Sequence, residues 1–133
     1  MQPPSIDAGE AGSSTRHLRG AMYLAGYGVE CSLKVYIISR VTDCTRLSEA
    51  RDALISRGLP IRDICGATGH NLAYLLSITD LEVGMDETRQ QAMGICNKWK
   101  STWRYHALPA SAEEAKSLVT ACRIVVDWIT SRV

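Results

Sequence analysis

Ala21-Met-Tyr-Leu-Ala-Gly-Tyr-Gly-Val-Glu-Cys-Ser-Leu-Lys-Val-Tyr-Ile-Ile38 is almost wholly apolar, and its reading decides the fold. The exceptions to that apolar character are Glu30 and Lys34, four residues apart. On a helix this spacing puts both charges on one face with the acid N-terminal to the base, which is the favourable order. Tyr23 and Tyr27 extend the same face. Charges in so hydrophobic a segment are costly to bury alone, so they must be paired or solvated. They either staple a helix interface or line a site.

Working outward, Leu18, Met22, Ala25, Val29 and Leu33 form one apolar stripe, and Ala21, Leu24, Gly28, Cys31, Val35 and Ile38 form another. A helix apolar around most of its circumference belongs at the centre of a bundle or at a dimer interface. Its expected span is 15–40, with Ser13, Ser14 or Thr15 as cap. Gly20, Gly26 and Gly28 each cost about 1 kcal/mol relative to Ala, which implies close approach of a neighbouring helix. Residues 1–14, rich in Gly, Pro and Ser, read as a mobile tail, leaving 15–133 as one helical bundle.

A second helix is expected at 46–57, with Thr45 as N-cap and Gly58 and Pro60 as stop signals. Residues 59–69 read as a loop, and His70–Ile78 as a short helix with Leu72, Leu75 and Leu76 inward. Asp86–Tyr105 carries Ala92, Cys96, Trp99 and Trp103 at helical spacing. Ser111-Ala-Glu-Glu114 is a capping box, and the helix behind it presents Ala115, Leu118, Cys122, Val125 and Ile129. No stretch alternates with period two. The expectation is all-α: an up-and-down bundle of four main helices plus one short one.

Bulk properties narrow the function classes. The chain has 133 residues and a formal charge of +1, enough for one core and no general pull toward nucleic acid or membrane. Eleven Arg against four Lys lean toward bidentate phosphate or carboxylate contacts. The five cysteines (Cys31, Cys44, Cys65, Cys96 and Cys122) include no C-x-x-C pair, so they signal neither a zinc site nor a disulfide framework and read as reduced core thiols. With no signal-peptide pattern and no membrane span in the sequence, the expected location is the cytoplasm.

Tyr-Leu-Ala-Gly-Tyr-x-Val-Glu-Cys-x-Leu-Lys at 23–34, Gly-His-x-Leu at 69–72, Trp103-Arg-Tyr105 and a closing helix with Cys122 and Asp127-Trp-Ile129 follow in order. In these features, which cover roughly half the chain, it resembles the HEPN family of small helical domains named for nucleotide binding. The resemblance implies a bundle that dimerises through its long helices. It also implies work beside a nucleotidyltransferase or a defence or toxin–antitoxin partner. Residues 43–66 are less familiar and read as an insertion of unassigned role.

Ribonuclease members of that family share an Arg followed four to six residues later by a His. Here Arg62 and His70 are eight apart, and Arg104 and His106 are two apart. Only a break at Tyr105 brings the second pair together. The densest chemical cluster is Lys98-Trp-Lys-Ser-Thr-Trp-Arg-Tyr-His106, with cations interleaved among aromatics in a manner that suits RNA. The bland alternative makes Trp99 and Trp103 core and the lysines solvated.

The leading expectation is an RNA- or nucleotide-binding homodimer in which Lys34, Tyr105, His70 and Lys100 contact the ligand. His70, at a helix start, would add to an anion site there. Glu30 pairs with Arg104 in this reading, leaving Lys34 or His106 free for an anion. A second expectation is a metal-independent endoribonuclease: His106 as base, Arg104 holding the phosphate, Glu30 orienting one of them. A third is a non-catalytic helical interaction module. None of the three calls for a metal or a cofactor.

Overall fold

The computed structural model describes residues 8–58, 70–100 and 111–133, and their side chains from residue 17 onward. The elements among the described residues are all helices, with no strand. The elements are α1 (Ala8–Tyr36), a π-helical turn (Ile37–Val41), α2 (Leu47–Ser56), α3 (Leu72–Ile78), a 3-10 turn (Leu81–Gly84), α4 (Glu87–Cys96) and α5 (Ala112–Thr130). The long helices α1 and α5 pack together as the spine, α4 lies on α5, and α3 lies on α1.

The first stripe of α1 is the core face. Met22, Val29 and Leu33 are buried, with Leu18 and Ala25 packed at its edge. The second stripe faces outward: Leu24 is 66% exposed, Val35 is 48% exposed, and Cys31 is exposed. Cys31 is therefore not a core thiol, whereas Cys96 and Cys122 are.

The helix begins at Ala8, so residues 8–14 belong to it rather than to a tail, and the expected caps at Ser13–Thr15 fall in its interior. Once the packed part of α1 has met the nucleation cost, extending it costs only the modest propensity of each added residue. At its other end α1 stops at Tyr36 and widens into the π turn, where the Thr42 N–H bonds to Ile37 O at 3.0 Å. The buried Thr42 hydroxyl donates toward both Ile37 O and Ile38 O. Asp43, at φ 54°, then turns the chain away. Of the three glycines, only Gly26 is a close approach. A Cβ there would overlap the Trp99 indole, whereas Gly28 meets Val126 at ordinary contact distance and Gly20 meets nothing.

α2 is capped at Arg46 with no side-chain bond. Thr45 instead donates to the Glu49 carboxylate, 2.9 Å away. Gly58, at φ +79°, ends the segment as expected. α3 buries Leu72, Leu75 and Leu76.

α4 is N-capped by Asp86, whose carboxylate accepts from the Arg89 N–H, but it ends at Cys96, well before Tyr105. A turn at Asn97–Lys98 swings Trp99 off the helix and onto α1. α5 follows its sequence closely: Ser111 Oγ accepts from the Glu114 N–H, and Ala115, Leu118, Cys122, Val125 and Ile129 are all buried.

No helix among the described residues is long and apolar enough to cross a membrane.

Candidate functional site

Glu30 is the one buried residue among those described that carries a formal charge at neutral pH, at 2% exposure. One carboxylate oxygen accepts from Lys34 Nζ at 3.0 Å, one helical turn further along α1. The other lies 2.8 Å from His70 Nδ1, which arrives from forty positions away where the chain enters α3. Lys34 is mostly covered (15% of its side chain exposed), whereas the His70 ring is 42% exposed. A carboxylate held by an ammonium accepts at both oxygens, so Nδ1 is the ring nitrogen that donates here, and Nε2 is the one left for a ligand. The arrangement is a fixed imidazole at the rim of a buried ion pair.

Aromatic rings continue this face. At about 100° per residue, Tyr23, Tyr27, Glu30 and Lys34 fall within roughly 60° of one another on α1. Tyr23 and Tyr27 stack at 6.1 Å with 17° between planes, and Tyr23 meets Trp99 at 6.1 Å. Trp99 Nε1–H donates to the Tyr23 carbonyl at 3.1 Å. The row runs from Trp99, 4% exposed, to Tyr27, 43% exposed. The negative charge of Cys31 as thiolate, then its hydrogen bond, then the Glu30 charge raise the Tyr27 hydroxyl above the usual phenol range.

The expected site residues divide sharply. Glu30, Lys34 and His70 come together. Arg104, Tyr105 and His106 lie outside the described residues, as do Arg62 and Trp103. Both oxygens of Glu30 are occupied by Lys34 and His70, so Lys34 is paired rather than unpaired as expected, with one of its three donors on Glu30. His70 also does not start a helix. Asn71 is the N-cap of α3, its side chain accepting from the Tyr74 N–H at 3.0 Å, and His70 precedes it and turns toward α1.

Trp99 takes the core role of its two alternatives, and Lys98 and Lys100 are exposed. His17, beside Arg16 at the start of the expected first helix, is exposed. Among the described residues, no three His, Cys, Asp or Glu side chains converge as a metal site.

A separate polar contact lies at the far end of α1. The Tyr36 hydroxyl donates to Asp80 at 2.8 Å, and Arg132 stacks over Trp128 at 4.2 Å; all four line a pocket of about 360 Å³. Burial, then the bond to Asp80, pushes the Tyr36 hydroxyl up.

The Glu30–Lys34 pair is a local one that spacing exposes. The Glu30–His70 bond is what sequence reasoning missed, because no periodicity links residues forty positions apart. Its sole trace is that both belong to the motifs carrying the family resemblance.

No known family model, curated protein or solved structure matches the chain.

Proposed function

We propose that this chain is a HEPN-like domain that binds RNA or nucleotide phosphate, as a homodimer, on the α1 face carrying Tyr27, Lys34 and His70. The observation that carries the reading is the buried Glu30 carboxylate gripping a lysine and a half-exposed histidine. Burying a carboxylate to hold two cationic or proton-bearing side chains is costly for stability alone, and apolar residues of similar volume commonly do as well. A fixed imidazole beside an ammonium suits a phosphate, and the exposed Tyr27 ring next to them suits a stacked base.

The outward stripe of Leu24, Tyr27, Cys31 and Val35 supports the homodimer. These residues recur at three- and four-residue intervals, the spacing by which one helix packs along another. Tyr27 stands where the two faces meet, so a bound nucleotide lies beside the dimer seam. A nucleotidyltransferase or a defence or toxin–antitoxin partner, and a cytoplasmic location, belong to the same proposal and rest on the family resemblance and the sequence alone.

Fluorescence anisotropy of a labelled single-stranded RNA at physiological salt tests the ligand. His70→Ala and Tyr27→Ala should each weaken binding at least several-fold while leaving the melting temperature within a few degrees, whereas Lys34→Ala should weaken binding and also lower the melting temperature, because it leaves the buried Glu30 carboxylate without its ammonium. Wild-type protein that fails to bind any such RNA or nucleotide at tens of micromolar refutes the reading. So does a Glu30→Gln variant that melts earlier yet binds normally. For the dimer, Leu24→Glu should convert the chain to a monomer in sedimentation without loss of helicity.

A second reading, a metal-independent endoribonuclease, draws on the Glu30–His70 bond. Here His70, oriented by Glu30, removes the proton from a ribose 2′-hydroxyl. The oxygen attacks the adjacent phosphorus, and the 5′-oxygen leaves as the cyclic phosphate forms. Arg104 would hold the phosphate as expected, and His106, expected as the base, would here instead protonate the leaving oxygen. Incubation with structured RNA in chelator, for wild type, His70→Ala and His106→Ala, decides it. Cleavage unchanged in both variants removes the histidines from the chemistry.

A further inference from the structure

Cys96 closes α4 and Cys122 stands in the middle of α5, and both are essentially fully buried, at 0% and 1% exposure. Their sulfurs are 3.6 Å apart. Neither takes part in the Glu30 cluster or the aromatic row. Among the described residues, the other cysteines differ: Cys31 is exposed on the outer stripe, and Cys44 is half-buried with its thiol on the Thr42 carbonyl. Two thiols in contact across two packed helices need only a small motion to become one bond.

We propose that Cys96 and Cys122 are an oxidative modification site, joined by a small-molecule disulfide such as oxidised glutathione into a covalent staple between α4 and α5. A disulfide holds its sulfurs at about 2.0 Å, so they must close the gap from 3.6 Å. Two sulfurs with no third ligand among the described residues suit this covalent chemistry better than metal capture.

The exchange balances as follows. Cys122, which accepts the Cys96 S–H and keeps that bond as a thiolate, loses its proton and attacks one sulfur of the small disulfide. The small disulfide's S–S bond breaks and one thiolate leaves. Cys96 then gives up its proton and attacks the Cys122 sulfur in the mixed disulfide, expelling the second thiolate. Two protein thiols lose two electrons and two protons, and the small disulfide becomes two thiols. Cys96 is held well above the usual thiol range by the hydrogen bond it donates and by burial. Both sulfurs are also covered, so the first attack waits on local parting of α4 and α5. The reaction is therefore slow and specific, unlike glutathionylation of a thiol open to solvent.

The test uses the full chain carrying Cys31→Ser, Cys44→Ser and Cys65→Ser, folded and incubated with oxidised glutathione, then denatured and alkylated for intact mass. The expected product has lost two hydrogens, takes up no alkylating agent and yields a linked peptide joining Cys96 to Cys122. The crosslink spans 26 positions. Its melting temperature should therefore rise by roughly 10 °C and return on reduction.

Wild-type protein mapped by peptide mass gives the same reading should the triple variant not fold. There the 96–122 link should dominate after oxidation in the folded state and give way to scrambled links after oxidation in denaturant. Two thiols still open to alkylation, after exposure many times longer than the same oxidised glutathione needs to modify the denatured chain, overturn the proposal. Accumulation of the mixed disulfide alone does the same.

Discussion

Replacing Gly26 by alanine should destabilise the protein, although the same change helps an ordinary helix. The Trp99 indole, 4% exposed, lies against the bare backbone of Gly26, with its N–H on the Tyr23 carbonyl and the Tyr23 ring tilted at 38° beside it. A methyl group at position 26 would occupy the space of the five-membered ring itself, so the indole has to move. If the ring shifts and stays buried, overpacking costs about 1–3 kcal/mol. If it is expelled, the loss approaches the ~3–5 kcal/mol of a Trp→Ala change. Against either stands a gain of about 1 kcal/mol in helix propensity. The net expectation is a loss of about 0–2 kcal/mol if the ring stays buried and about 2–4 if it is expelled.

Gly20→Ala, on the same helix with nothing within 4 Å, is the control and should stabilise by about 0.5–1 kcal/mol. Urea unfolding followed by far-ultraviolet circular dichroism measures both, and tryptophan emission should shift to the red in Gly26→Ala alone. In a Trp99→Ala background, Gly26→Ala should turn stabilising, because the clash has gone. A Gly26→Ala protein as stable as wild type, with unshifted emission and no coupling to Trp99, refutes the packing described for this contact.

Three further outcomes follow from the same contacts. Glu30→Leu should lower stability to urea by about 2–3 kcal/mol, since Lys34 is then left mostly covered and unpaired. Glu30→Leu with Lys34→Leu should recover most of that, as buried ion pairs replaced by apolar residues often do. Tyr36→Phe should cost about 1 kcal/mol at neutral pH for the lost bond to Asp80.

The raised Tyr36 hydroxyl also sets a pH dependence. The unfolded chain releases this proton first, near pH 10, so the folded state binds more protons above that point. Its contribution is therefore complete below about pH 10 and lost as pH rises through the folded value. Alkaline urea titrations should show a fall in wild type that is smaller in Tyr36→Phe. Ser111→Ala should cost about 1 kcal/mol by removing the α5 cap, read as a lower urea midpoint with an unchanged slope.

How far the sequence speaks depends on the range of the interaction involved. α5 was legible in full, since its cap and its stripe are both local patterns, and the inward leucines of α3 were equally plain. The end of α4 was not. Trp99 and Trp103 continue its period, yet Trp99 leaves the helix because Gly26, on another element, offers it a flat surface. The π turn was also invisible: Ile37–Val41 contains no glycine or proline, and Thr42 draws the carbonyls only once it is buried. Within the candidate site, Glu30–Lys34 could be read from four-residue spacing, whereas His70 needed the chain to fold back on itself.

The row Trp99–Tyr23–Tyr27 gives the protein an optical antenna. With successive ring centroids 6.1 Å apart, light absorbed by either tyrosine is passed to the indole before it can be emitted. The donor end of the relay is the exposed Tyr27, and the emitter is sealed in the interior. In a chain with Trp103→Phe and Trp128→Phe, a nucleobase laid on Tyr27 would drain this transfer. Binding would then appear as dimming of Trp99 under tyrosine excitation, while direct indole excitation stayed constant, with no label attached to either molecule.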